Sequence, residues 1–190
     1  MKEALGVQRA STFRHDSRYR SGRALRGGGR ERRAVQRRSR FGKQLLREQW
    51  TGHEYDVLGD LWRAGAPVPF PIGHDGDVVD LQYLGDLDGA APQLHAARLA
   101  GDQLAHAYDQ VVEGLRCITR AGWVHGDLSA YNVLWWDSAA WIIDLPQAVD
   151  FAANLDAPDL LHRDVVNICT WFSRRGLTTD TDALYANLLR

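Results

Sequence analysis

At 190 residues, with 45% hydrophobic and 25% charged residues, the chain has the size and mix of one globular domain, which excludes wholesale disorder and a fibrous repeat. The formal net charge of -1 conceals a split: residues 1–50 hold 15 Lys and Arg against four acids, a net +11, while residues 51–190 hold 8 against 20, a net -12. No run of about 18 apolar residues occurs and the first 20 residues carry scattered charge, so neither a membrane-spanning helix nor a secretory leader is expected, and a cytoplasmic protein is the default. The two cysteines, Cys117 and Cys169, lack CxxC spacing and point to neither a disulfide scaffold nor a structural zinc site.

In chain order, Arg14 to Arg47 reads as an irregular basic stretch with Gly27-Gly28-Gly29 at its middle and too few apolar residues to fix a long buried helix. From Trp50 the spacing of Tyr55, Leu58, Leu61 and Trp62 predicts a helix ending near Ala64-Gly65, which Pro67 and Pro69 forbid to continue. Val78 to Leu84 reads as a strand bounded by His74-Asp75-Gly76 and Gly85. Gly101 to Arg120 reads as a long helix, with Leu104, Tyr108, Val111, Val112, Leu115 and Ile118 at helical spacing and Gly122 as its stop. The apolar runs Val133–Trp136 and Trp141–Ile143, separated by residues 137–140, predict a hairpin whose tryptophans are core. A helix follows over about Asp159 to Phe172, and Thr179-Asp180 caps a last one through Leu189. The order suggests an α+β fold rather than alternating βαβ units.

Chemistry concentrates in His125-Gly126-Asp127-Leu128-Ser129-Ala130-Tyr131-Asn132 and in Trp141-Ile142-Ile143-Asp144. Phosphoryl transfer needs an aspartate that accepts or orients the nucleophile's proton, and oxygen ligands that hold magnesium against a triphosphate. Asp127 stands where such a catalytic aspartate belongs, Asn132 five residues on can turn back to the metal, and Asp144 at the end of the hairpin can bridge metal and phosphates. The plainer reading makes all four polar residues turn formers and strand caps. Their joint spacing inside a helix, loop and hairpin order argues against it.

The runs His-Gly-Asp-Leu-Ser-x-Tyr-Asn-Val-Leu at 125–134, Ile-Ile-Asp-Leu-Pro-Gln-Ala-Val-Asp at 142–150 and Arg163-Asp164-Val165-Val166-Asn167-Ile168-Cys169 resemble the RIO family of atypical serine/threonine protein kinases. Upstream, Glu54 with Leu58 and Ala64-Gly65-Ala66-Pro67-Val68-Pro69, together with Phe13, Asp16, Tyr19 and Gly22, fit the same family, so the likeness covers about residues 11–175. The resemblance implies a protein-kinase-like fold with a truncated N-terminal lobe and a mostly helical C-terminal lobe. Residues 1–84 would form the partial N-terminal lobe, with a basic flexible loop over about 14–49, a helix carrying Glu54 and a hinge strand; residues 85–190 would form the C-terminal lobe.

By the same resemblance Asp127 is the catalytic aspartate, Asn132 and Asp144 are magnesium ligands, and Asp144 matches a position that forms a phosphoaspartate. Glu54 would pair with the phosphate-binding lysine, Leu81-Gln82-Tyr83-Leu84 would be the hinge, with the backbone of Gln82 and Leu84 on adenine, and His125 and Ser129 would support the loop. Lys2 is the one candidate for that lysine; its alternatives are a relic of the phosphate loop's own Lys-Glu-Ala or a solvated terminal residue. No glycine-rich loop precedes it in this sequence, which reads either as a start placed too far downstream or as a true truncation, the latter implying weaker nucleotide binding and weaker catalysis.

The expected activity is ATP-dependent phosphorylation of protein serine or threonine, its own serines included, or ATP hydrolysis, with Mg2+ or Mn2+. Two alternatives stand beside it. One is a catalytically impaired module binding RNA or ribosomal partners through Arg-rich residues 14–47; the other is a phosphotransferase like aminoglycoside and choline kinases, which share His-Gly-Asp-Leu and the Asn.

Overall fold

A glycine in the left-handed region decides where the first described helix stops. The structure is a computed structural model that describes residues 7–10, 40–76 and 78–190, with side chains from residue 51 onward. Lys2, Phe13, Asp16, Tyr19, Gly22 and most of the basic stretch, residues 11–39, lie outside the described residues. Helix α1 (Arg40–Arg63) ends in Gly65 at φ 80, with the Gly65 N–H on the Trp62 carbonyl at 3.0 Å and the Ala66 N–H on the Leu61 carbonyl at 3.0 Å. This is a Schellman cap, which satisfies two carbonyls that the helix leaves open and turns the chain into Pro67.

The helix begins earlier than the apolar spacing indicates. Residues 40–47, read from sequence as part of an irregular stretch, are its first two turns. Its inner stripe is Thr51, Glu54, Val57, Leu58 and Leu61, all buried. Trp62, expected on that face, is instead 47% exposed and packs edge-on against Phe70, with ring centroids 4.9 Å apart.

Three antiparallel strands flank α1: β1 (Val7–Ala10), β2 (Pro71–Asp75) and β3 (Val78–Gln82), in the order β1-β3-β2. The register runs from Val7 opposite Gln82 to Ala10 opposite Val79. Strand β2 escapes a sequence reading because proline and glycine mark it as a breaker, yet it is an edge strand, where a missing N–H is tolerated. Strand β3 stops two residues short of the expected end, and an N–H from Ala91 then closes on the Leu84 carbonyl at 2.8 Å.

Helix α2 (Asp102–Arg120) buries Leu104, Ala107, Val111, Val112, Leu115 and Ile118 as its spacing predicts, with Tyr108 half-buried beside them. It is followed by β4 (Trp123–Val124), the hairpin β5 (Val133–Trp136) and β6 (Ala139–Ile142), then β7 (Val149–Asp150), which pairs with β4. The hairpin connection is the two residues Asp137 and Ser138, both with positive φ at 49 and 58, rather than the four expected. Such a turn matches the right-handed twist of its strands. Trp135 is half-buried against the main core, while Trp136 and Trp141 are half-buried against a small cluster of Leu84, Ala91 and Leu134.

Helix α3 (Ala157–Ser173) and helix α4 (Thr181–Leu188) close the fold, and Asp180 caps α4 by accepting the Ala183 N–H at 2.9 Å. One apolar cluster runs from Leu58 and Leu61 through Leu115, Ile142 and Leu161 to Phe172. Among the described residues no helix is long and apolar enough to cross a membrane.

Candidate active site

The loop from His125 to Asn132 carries polar side chains that must be held in place inside a largely buried setting, and a second carboxylate does the holding. Asp164, on the inner face of α3, is fully buried and accepts the Gly126 N–H and the Leu128 N–H at 2.7 Å each. Burial pushes its carboxyl above the ordinary range, against the opposing pull of the two backbone donors and Arg163. Arg163 donates to the Gly126 carbonyl and Asn167 to the Leu128 carbonyl at 3.1 Å, so one helix face grips the loop backbone on both sides of Asp127.

His125 is also fully buried. It accepts the Asp127 N–H through Nδ1 at 3.3 Å, which leaves Nε2 to donate to the Ile143 carbonyl at 3.0 Å. One imidazole thereby joins the loop to the residue that precedes Asp144. The Ile143 N–H in turn meets the Asn132 carbonyl at 3.0 Å.

Asn132 donates through Nδ2 to the Asp127 carbonyl at 2.7 Å. That bond sets the amide's orientation and turns its Oδ1 away from Asp127's backbone, where this oxygen could ligate a cation. Asp127 is half-buried, and its Oδ2 accepts Gln147 Nε2 at 3.3 Å. Ser129 Oγ accepts the Tyr131 N–H at 3.3 Å and the Ser129 carbonyl accepts the Asn132 N–H at 2.9 Å, so this side chain shapes the turn. Asp144 lies just past β6 with φ 67, a left-handed conformation that a non-glycine residue adopts at a cost and that aspartate tolerates better than most.

Glu54 reaches the same place from α1. It is buried, the Leu145 N–H bonds to it, and its carboxyl is pushed up to about 7 by burial first and by the Asp144 charge second. His53 beside it bonds the Ala148 carbonyl through Nε2 at 3.0 Å. In the segment expected to be the hinge, the Gln82 N–H is spent on the Phe70 carbonyl at 2.9 Å and the Leu84 carbonyl on Ala91, so these two groups serve the fold.

The fold therefore brings together His125, Asp127, Ser129, Asn132, Asp144 and Glu54; Lys2 lies outside the described residues. The donor set at Asn132 and Asp144 is all oxygen, which suits a hard divalent cation such as Mg2+. Asp164 and Gln147 are residues that sequence reasoning quoted without a role. The one signal for Asp164 is a charged residue on the apolar stripe of Leu161, Val165 and Ile168.

The model of the RIO domain family matches residues 8–184 of this chain. The RIO-type serine/threonine-protein kinase Rio1 of Thermoplasma acidophilum is 37% identical over 135 residues, 71% of this chain and 69% of that protein. Its counterpart in Haloferax volcanii is 38% identical over 136 residues, 72% of this chain and 46% of that one. Among solved structures, the Rio2 kinase-ADP/Mg2+-phosphoaspartate complex from Chaetomium thermophilum is similar with a TM-score of 0.67 at 23% identity, over 89% of this chain and 51% of that one. The fold is thus the α+β, protein-kinase-like fold of RIO kinases, and this chain spans about half the length of several of its relatives.

Proposed function

The chain belongs to the RIO domain family of serine/threonine-protein kinases, and on that footing we propose that it transfers the γ-phosphoryl group of ATP to serine or threonine hydroxyls of a protein. The observation that carries this reading is the convergence of Asp127, Asn132 and Asp144, pinned by His125 and Asp164. Asp127 orients the acceptor hydroxyl and takes its proton, with Gln147 steadying the carboxylate. Asn132 Oδ1 and Asp144 would hold Mg2+, whose chemistry is to neutralise phosphate charge. Two such ligands are few, and Mg2+ sites of this kind are completed by phosphate oxygens and water.

Glu54 sits to pair with a phosphate-binding cation, for which Lys2 is the candidate. Adenine would lie against the cluster of Leu84, Leu134 and Ile143 and meet the Leu84 N–H, since the Gln82 N–H and Leu84 carbonyl are already used. Asp144 is also the candidate for phosphoryl acceptance: its carboxylate oxygen would take the γ-phosphoryl, releasing ADP, and hydrolysis of that acyl phosphate would complete an ATPase cycle. The phosphoaspartate named for the Chaetomium structure supports this route. The family match favours protein phosphorylation over the aminoglycoside or choline kinase reading.

The test is magnesium-dependent release of labelled phosphate from ATP, or its transfer to protein, by the full chain and by Asp144→Asn. Asparagine removes the charge that the metal and phosphate chemistry need, so loss of more than about a hundredfold is expected. Activity unchanged by the substitution would remove Asp144 from the site.

A further inference from the structure

Tyr131 is the aromatic side chain of the catalytic loop, one residue before the ligand Asn132, and it is 56% exposed. Leaving so much aromatic surface in water is unfavourable, yet the ring is held firmly. One face stacks on His95, with centroids 4.0 Å apart and planes 26° from parallel. Gln93 Nε2 donates to the Tyr131 carbonyl at 2.8 Å, the His95 N–H meets the Ala130 carbonyl at 3.0 Å, and Ser129 Oγ takes the Tyr131 N–H. The segment around the short helical turn Leu94–Ala96 thus serves as a bracket behind the ring.

Resting on the kinase reading above, we propose that the outer face of Tyr131 is a recognition platform for an arginine that flanks the phosphoacceptor serine of a basic protein segment. The position fits because Tyr131 belongs to the loop that carries Asp127 and directly precedes Asn132, whose amide bonds the Asp127 carbonyl. An extended peptide advances about 3.3 Å per residue, so an arginine within a few residues of the acceptor hydroxyl spans the length of such a loop. The chemistry fits because a ring backed on one side offers its remaining π face to a planar guanidinium. The charge fits because residues 51–190 carry a net -12, which favours approach of cationic peptides over acidic ones. The chain's own Arg37-Arg38-Ser39-Arg40 has this character.

The probe is a labelled peptide of residues 30–43, made with Ser39→Ala so that binding is read by fluorescence anisotropy without any phosphoryl transfer, and with Ser39 intact for kinetics. Tyr131→Leu should weaken binding and raise the peptide KM roughly fivefold, the size of one exposed cation–π contact. Tyr131→Phe should retain affinity, and a peptide with Arg37→Ala, Arg38→Ala and Arg40→Ala should bind weakly and equally to all three proteins. An unchanged affinity in Tyr131→Leu, an equal loss for both peptides, or no binding by the unaltered chain overturns the platform. Binding that depends on Tyr131 and the arginines without phosphoryl transfer upholds the platform and overturns the kinase reading instead.

Discussion

Glu54 buries a carboxyl beside Asp144, and its proton affinity follows from that neighbourhood. Its folded value of about 7 exceeds the ordinary 4.5, so the folded chain binds more protons than the unfolded one between those values. Glu54's contribution to the stability of the ligand-free chain therefore falls as pH rises from about 4.5 through 7. Glu54→Gln keeps an acceptor for the Leu145 N–H without the charge; at pH 8 it should stabilise the ligand-free protein by roughly 2–3 kcal/mol, and at pH 4 by almost nothing. Urea melts at both pH values check this, and equal effects would refute the assignment. Gln147 poses the opposite case, a neutral amide serving a charged neighbour: Gln147→Leu should lower kcat about tenfold with little change in Mg·ATP affinity, from the loss of one hydrogen bond to Asp127. Steady-state kinetics paired with nucleotide titration separate the two. Spacing alone reveals Asp127, Asn132 and Asp144, whereas Gln147 and Asp164 act across 20 to 38 residues of chain, and no local pattern encodes such a bond.

At the scale of elements, the site depends on how closely α2 approaches β6. Gly114 on α2 leaves room that a Cβ would contest, lying 2.8 Å from Ile142 Cδ1 and 3.0 Å from Pro67 Cγ. Ile142 ends β6 two residues before Asp144, and its N–H meets the Pro67 carbonyl at 2.7 Å. Gly114→Ala should therefore overpack this junction and cost about 1–3 kcal/mol, a fall of roughly 2–12 °C in melting temperature for a chain of this size. A calorimetric scan checks it, and a more stable variant would mean that Ile142 and Pro67 yield freely. Helix α2 was legible in full because its apolar stripe is long and regular. The first turns of α1 and all of β2 were not: a basic, apolar-poor segment and a proline-led edge strand gain their form from the partners they pack against.

For the whole molecule, the separation of charge places the basic residues ahead of a body whose acids include Asp127, Asp144 and Asp164. Magnesium and a nucleotide offset one another's charge in that body, so the pair should bind better than either alone. Mg·ATP at about a hundred times its Kd should stabilise the folded chain by about 2.7 kcal/mol, roughly 5–10 °C in melting temperature, and Asp144→Asn should abolish the shift. Thermal melts with Mg·ATP, ATP alone and Mg2+ alone would show it. A flat response to all three would mark the chain as a module that does not hold nucleotide.

By itself the sequence determined that this is an α+β chain with a His-Gly-Asp loop and a hairpin leading to Asp144, and it pointed to the RIO family through motifs a few residues long. Those are local facts, set by spacing along the backbone. The tertiary structure decided what holds the loop and what each carboxyl is worth: Asp164 reaches Gly126 and Leu128 from a distant helix, His125 ties the loop to the Asp144 strand, and Glu54 has its affinity for protons raised by burial. Burial and long-range hydrogen bonding exist only once separate elements meet, so no reading of neighbouring residues contains them.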